Sequence, residues 1–276
     1  MRMVQRSRRA ALVAAALILV LVGGGAAYAA TRRPAITTST PTSAAQVTNI
    51  DVLRQKLRNY YGDPLGTGSF GADSSYAKEV RAVARSGERW LARTHEVHGR
   101  KAIVFDVDDT TLTTWRTVVA TNWASDATAR QKDAVRQVYP ATPGMLHLAR
   151  AAKREGYAIF FVTGRGAARE AATLGNLTVD HVGVDAGYPR PTRLRNGEDG
   201  LFTKPAKSDY PAYLKAACAD DPKGVCTTVH YKSATRAHIE SLGYDIVANF
   251  GDQLSDLKGG HADRTFKLPN PNYFIP

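Results

Sequence analysis

Cysteine is scarce in this 276-residue chain: Cys218 and Cys226 are the only two. Neither lies near the N-terminus, which excludes a lipid attached to cysteine there. Their spacing does not suit a zinc knuckle, and no neighbouring Cys or His pair completes a tetrahedral site. None of the seven histidines forms H-E-x-x-H, which argues against zinc hydrolysis. His230 and His238 read as packing or surface residues. Lys and Arg never gather into a long block despite a formal net charge of +12, and no aromatic-edged basic patch is visible, so nucleic acid is not expected as a partner. No internal repeat is present.

The first 30 residues have the three parts of a secretory signal. These are a basic start (Arg2, Arg6, Arg8, Arg9), an apolar run from Ala10 to Val22, and small residues ending in Ala27-Tyr28-Ala29. Export to the extracellular side with cleavage after Ala29 or Ala30 is the expectation. The alternative is an uncleaved anchor facing outside, since 10–30 is just long enough to span a bilayer, and a membrane partner is expected only in that case. Removing the four arginines from +12 leaves the mature chain at +8, which by itself assigns no partner. Residues 31–46, rich in Thr, Ser, Pro and Ala, read as a flexible tether, and 47–276 as the folded domain. In an exported protein Cys218 and Cys226, bracketing a turn-forming segment, read as one short-loop disulfide.

Apolar spacing predicts two helices between Val47 and His98, interrupted at 62–71. Ala102–Phe105 is predicted as a strand buried on both faces. Residues 115–139 are predicted mostly helical, a small cap in which Trp123 and Tyr139 either wall a pocket or pack. Thr142 is expected to cap a helix with Pro143 at its first position, ended by Gly156. Ala158–Val162 is the next strand and 166–176 a helix. Residues 178–203, rich in Gly and Pro, carry only a weak strand signal. A helix is expected over 208–217, a third strand over Val225–Tyr231, a helix over Ser233–Leu242 and a fourth strand over Asp245–Phe250. This alternation predicts an open, mostly parallel α/β sheet with helices on both faces.

Polar groups follow the expected strand ends: Asp106, Asp108 and Asp109; Thr163; Lys232; Asp252 with Asp256. In open parallel sheets ligands bind at the carboxyl ends of the strands, so groups 150 positions apart can converge. Carboxylates, a hydroxyl and a lysine point to phosphoryl chemistry with a hard divalent ion, Mg²⁺ by ligand type. Lys204 and Lys207 compete with Lys232 but lie in a Pro/Gly-rich loop. Asp109 reads as a turn or cap residue, and Asp256 could also cap a helix.

The segments DxDDT at 106–110, VTGR at 162–165, YKSATR at 231–236 and GDQLSD at 251–256 resemble, in order and spacing, the four motifs of the haloacid dehalogenase-like (HAD) phosphatases. FDVDDTTL, with the stretch from NFGDQLSD to NPNYF, is similar to the class B acid phosphatases and the plant vegetative storage proteins. The resemblance covers 49–276. It implies a Rossmann-like HAD fold and an Mg²⁺-dependent acid phosphatase acting on small phosphomonoesters. Asp106 would be the nucleophile that forms an aspartyl-phosphate, and Asp108 the acid/base with a pKa above that of Asp106. Asp106, the Asp108 carbonyl and Asp252 would bind Mg²⁺, with Asp256 direct, through water or further out. Thr163 and Lys232 would hold the phosphoryl group, with Gly164 and Arg165 beside it, and Arg236 would orient a carboxylate. Phosphotransfer to alcohols or nucleosides, and a weakly active storage or binding role, are the alternatives.

Overall fold

The computed structural model describes residues 39–93, 96–178, 183–184, 186–195, 197 and 199–275. The expected export signal lies outside the described residues, as does half of the tether; 39–46 is exposed. The residues 41–276 form one compact unit. Among the described residues no helix is long and apolar enough to cross a membrane.

Strands β1 (Arg100–Phe105), β2 (Ala158–Gly166), β3 (Leu201–Lys204), β4 (Tyr244–Gly251) and β5 (Thr265–Lys267) form a parallel sheet in the order β3-β2-β1-β4-β5. Alternate side chains feed two cores, because successive residues of a strand point to opposite faces. Ile103, Phe105, Ile159 and Phe161 pack with Val80 of α2 (Ser75–Leu91) and Leu148 of α5 (Met145–Arg154). Ala102, Val104, Phe160 and Val162 pack with Leu214 of α7 (Ala212–Ala217) and with Tyr231 and Ile239 of α8 (Thr228–Ser241). Burial on both faces explains why β1, β2 and β4 are continuous apolar runs. The order reverses at β1, which β2 and β4 flank, so the crevice beyond the carboxyl end of β1 is the place where this topology puts a ligand.

The cap after β1 consists of α3 (Trp115–Ala120) and α4 (Ala127–Val135). Asn122 and Trp123 between them have φ of 52° and 63°, which breaks the helix expected across the whole segment. Trp115 stacks on Tyr61 of α1 (Ile50–Tyr61), with ring centroids 4.0 Å apart, and its indole N–H donates to Asp63 Oδ2 at 2.9 Å.

Two expectations are corrected. Val225–Tyr231 is not a strand: the Thr227 hydroxyl accepts from the His230 N–H at 3.2 Å and starts α8. That cap outweighs the β-branched composition of the segment. His230 therefore sits in the first turn of α8, its Nδ1 2.6 Å from Asp221 Oδ1. The weak strand signal of the Gly/Pro-rich stretch corresponds to β3 at its end, and β5 had no counterpart in the expected elements. Thr142 is not the cap of α5: Gly144, at φ 79°, precedes Met145, and the Thr142 N–H instead donates to Thr111 O at 2.8 Å. The region between the cysteines holds the expected disulfide, Cys218–Cys226.

Candidate active site

Asp106 continues β1, its N–H donating to Phe250 O at 2.9 Å. The chain then coils around one carbonyl: Thr111 N and Leu112 N both donate to Val107 O at 2.9 Å. The Thr111 hydroxyl donates to Asp106 O at 3.1 Å. Asp109 adopts φ 56° and accepts from the Thr114 N–H at 2.8 Å and hydroxyl at 2.6 Å, which is the turn-forming role its position suggests.

Lys232 is not beyond a strand end. It lies on the second turn of α8, and its ammonium donates to Asp106 Oδ1 and, at 2.7 Å, to Asp256 Oδ1. Both carboxylates and the ammonium are buried. Lys204, the last residue of β3 rather than of a loop, lines the cavity but its ammonium donates to Cys226 O at 2.7 Å, and Lys207 donates to Lys223 O. Asp256 Oδ2 also accepts the Gln253 N–H at 2.8 Å and so caps α9 (Leu254–Leu257); the site and cap readings hold together. Gly251 permits this approach: a Cβ there would stand 2.4 Å from Asp256 Cβ.

Arg165 closes a fork on Asp108, with Nε 3.0 Å from Oδ2 and Nη2 2.6 Å from Oδ1. Its Nη1 donates to Thr173 Oγ1 at 3.1 Å. Thr163 is inside β2 rather than past it, and its hydroxyl oxygen accepts the Arg165 N–H at 3.2 Å. Gly164 lines the cavity with nothing within 4 Å of where a Cβ would be. Arg236 does not hold a carboxylate side chain. Its guanidinium donates to the backbone carbonyls of Asp256, at 2.7 Å, of Gly260, at 2.9 Å, and of Lys258.

Asp106, Asp252 and Asp256 bring carboxylate oxygens within 4.8 Å of one another. Asp108 offers no side chain to that group, being turned to Arg165. Three buried carboxylates against one ammonium leave two negative charges in excess, and all donors are hard oxygens, so the set fits a divalent cation. The other Cys/His/Asp/Glu cluster among the described residues, Cys218, Asp221 and Cys226, is spent on the disulfide and on capping α8 through Asp221 Oδ2 and the Thr227 N–H, 2.9 Å apart.

The acidities invert the expected order. Burial pushes Asp106 well above its ordinary value, opposed by Lys232 and reinforced by Asp256 and Asp252. Burial would also raise Asp108, but the charge and hydrogen bonds of Arg165 outweigh it and hold Asp108 below 3.8. Asp252 rises to about 7 through burial and then the charges of Asp256 and Asp109. Asp109 rises to about 6, mainly by burial. A carboxyl with a raised folded-state pKa binds more protons folded than unfolded, so its ionisation destabilises the fold as pH rises. Asp63 and Asp108, both lowered, act oppositely but have finished titrating below pH 5. The thermal unfolding midpoint in EDTA should therefore fall from pH 5 to pH 8, and Mg²⁺ should restore it at pH 8. A flat or rising profile would contradict this charge balance.

A cavity of about 430 Å³ opens over these groups. Asp106, Asp108, Thr163, Lys232, Asp252 and Asp256 line its floor, and Val118, Trp123, Tyr139, Phe274 and Ile275 also line it. Trp123 and Tyr139 are thus both packing residues and walls. Sequence reasoning assigned no role to Thr110, Gln253 or Asn270, which all donate to Asp252, at 3.2, 2.6 and 2.6 Å. Gln253 adjoins a motif aspartate, but Asn270 is 18 positions away and no spacing signals it.

The same fold occurs in class C acid phosphatase from Bacillus anthracis. One solved structure of it has a TM-score of 0.53 and 19% identity, covering 73% of this chain and 80% of that one. A second, with tungstate bound, has a TM-score of 0.52 and 20% identity, covering 80% and 85%. These likenesses show a shared α/β fold. The chain belongs to the HAD superfamily, subfamily IIIB (Acid phosphatase), whose family model matches residues 30–276. The Stem 28 kDa glycoprotein of Glycine max is 30% identical over 201 residues, 67% of this chain and 65% of that protein. Acid phosphatase 1 of Solanum lycopersicum is 28% identical over 191 residues, 64% and 60%. The chain thus spans less than two thirds of the length of these relatives.

Proposed function

We propose that this chain is an exported, Mg²⁺-dependent phosphatase that hydrolyses small phosphomonoesters through an aspartyl-phosphate on Asp106. The observation that carries the reading is the buried Asp106 carboxylate at the end of β1, bridged by Lys232 and facing a cavity sized for a small ester. Family membership and the relatives' names support the activity, and the disulfide suits an oxidising compartment.

Asp106, the Asp108 carbonyl and Asp252 would hold the cation, with Asp256 beside them. Bound there, Mg²⁺ supplies charge neutralisation for the phosphoryl oxygens. The chain's own groups do the rest. One Asp106 oxygen attacks phosphorus, forming the acyl phosphate bond as the ester P–O bond breaks. The Thr163 hydroxyl and Lys232 ammonium take up negative charge on the phosphoryl group. An entering phosphate competes for the Arg165 fork, which releases Asp108 from its ion pair and lets it take up a proton. Asp108 gives that proton to the departing alkoxide, then accepts one from the water that cleaves the aspartyl-phosphate.

Chelation tests the reading. Exhaustive EDTA treatment of the purified protein should cut turnover of p-nitrophenyl phosphate by about 100-fold or more, with recovery on adding Mg²⁺. Full activity after chelation would remove the metal assignment, and no turnover across a panel of nucleotide, sugar and aryl phosphates would remove the phosphatase assignment.

A further inference from the structure

One part of the cavity wall comes from neither the sheet nor the cap but from the segment Asn270–Ile275, of which Asn272, Tyr273, Phe274 and Ile275 line the cavity. Asn270 Nδ2 donates to Asp252 Oδ2 at 2.6 Å. The opposite end of the same amide is fixed, because the Asn272 N–H donates to Asn270 Oδ1 at 2.9 Å; only the NH₂ is left for Asp252. Gln253 Nε2 reaches the same Asp252 oxygen at 2.6 Å, while Gln253 Oε1 accepts the Ile275 N–H at 3.0 Å. Asn272 Nδ2 donates to the Tyr61 hydroxyl at 2.8 Å, and Asn272 Oδ1 accepts the Trp123 indole N–H at 3.3 Å. Six residues therefore touch a cluster carboxylate, α1 and the cap.

The geometry has a direct effect on Asp252. Two amides fill the lone pairs of Oδ2 and the Thr110 hydroxyl takes one of Oδ1, at 3.2 Å. The carboxylate cannot rotate, and a single lone pair on Oδ1 remains for the cluster with Asp106 and Asp256. Ligands oriented in this way bind metal more tightly, and loss of an orienting partner costs about 10- to 100-fold in affinity. We propose that Asn270–Ile275 is a clasp that sets the divalent-cation affinity of the site. Asn270 is a positioning residue acting through Asp252, and Asn272 anchors the clasp to Trp123 and Tyr61. The inference rests on the metal reading given under Proposed function.

The test uses the full chain, with Mg²⁺ alone as probe, followed by titration calorimetry and by thermal unfolding with and without the cation. Asn270→Ala should bind Mg²⁺ about 10- to 100-fold more weakly than the wild type, beyond whatever its metal-free midpoint loses with the two hydrogen bonds. The cation-induced stabilisation should shrink by about 1.4 kcal/mol per tenfold loss. Asn272→Ala should weaken binding in the same direction by a smaller factor. A merely structural clasp would instead lower the metal-free midpoint and leave wild-type affinity for Mg²⁺, which overturns the proposal while the metal reading stands. Should Asn270→Ala not fold, unchanged affinity in folded Asn272→Ala overturns it. A wild type that binds no Mg²⁺ overturns the metal reading and the clasp together.

Discussion

Asp106→Asn is expected to lower turnover of p-nitrophenyl phosphate by about 10⁴-fold or more without unfolding the protein. An amide oxygen is a poor nucleophile, and no other carboxylate is placed to substitute. Asp108 is engaged by Arg165, Asp252 by three donors, and Asp256 by Lys232 and the Gln253 N–H. The fold should tolerate the change, because the substitution removes a buried charge whose acidity is already suppressed by burial and leaves Lys232 its second partner, Asp256. Thermal unfolding at pH 7 should show a midpoint equal to or above the wild type, since a carboxyl with a raised folded pKa costs stability wherever it is ionised. Phosphoprotein trapped by acid quench should appear in the wild type and be missing from the variant. Retained turnover would end the covalent mechanism.

Lys232→Met should be damaging in both activity and stability. Its ammonium bridges two buried carboxylates, and removing one partner of a buried ion pair strands the others at about 3–5 kcal/mol. The Lys232 pKa is raised above 10.5: burial opposes the charge, but Asp106 and Asp256 outweigh it. Its own titration therefore takes nothing from stability below the unfolded pKa and does so only in strong alkali, so any pH dependence of the bridge between pH 5 and 8 comes from its carboxylate partners. In the variant the loss should shrink as pH falls, because Asp106 then takes up a proton. Urea unfolding at pH 5 and pH 8 should show the smaller deficit at pH 5, and kcat/KM should fall about 10²- to 10³-fold with the loss of phosphoryl charge stabilisation. Equal stability of variant and wild type at pH 8 would mean that the bridge contributes nothing to the fold.

The central strands and the polar residues beyond them are legible from the chain because each is a local signal. β1, β2 and β4 are buried on both faces and need apolar centres, so AIVF, AIFFV and IVA stand out without knowledge of neighbours. β3 and β5, of four and three residues, are too short for any periodicity to separate them from loop. The start of α8 was hidden by Val225, Thr227, Val229 and Tyr231, residues that favour strands, until the Thr227 cap and packing against β4 decided otherwise.

Residue chemistry along the chain by itself pointed to an open parallel α/β sheet with Asp106, Asp252 and Asp256 beyond its strand ends and Thr163 beside them; Lys232 was expected there as the residue after a strand, whereas it arrives from the second turn of α8. Only the tertiary structure decided what each group faces. Arg165 reaches Asp108 across 57 positions, Lys232 reaches Asp106 across 126, and Asn270 reaches Asp252 across 18. Those contacts set the acidities and orient the carboxylates. The physical reason is that charge and hydrogen-bond energies depend on distances of a few ångströms and on burial, and chain spacing specifies neither once a sheet has folded.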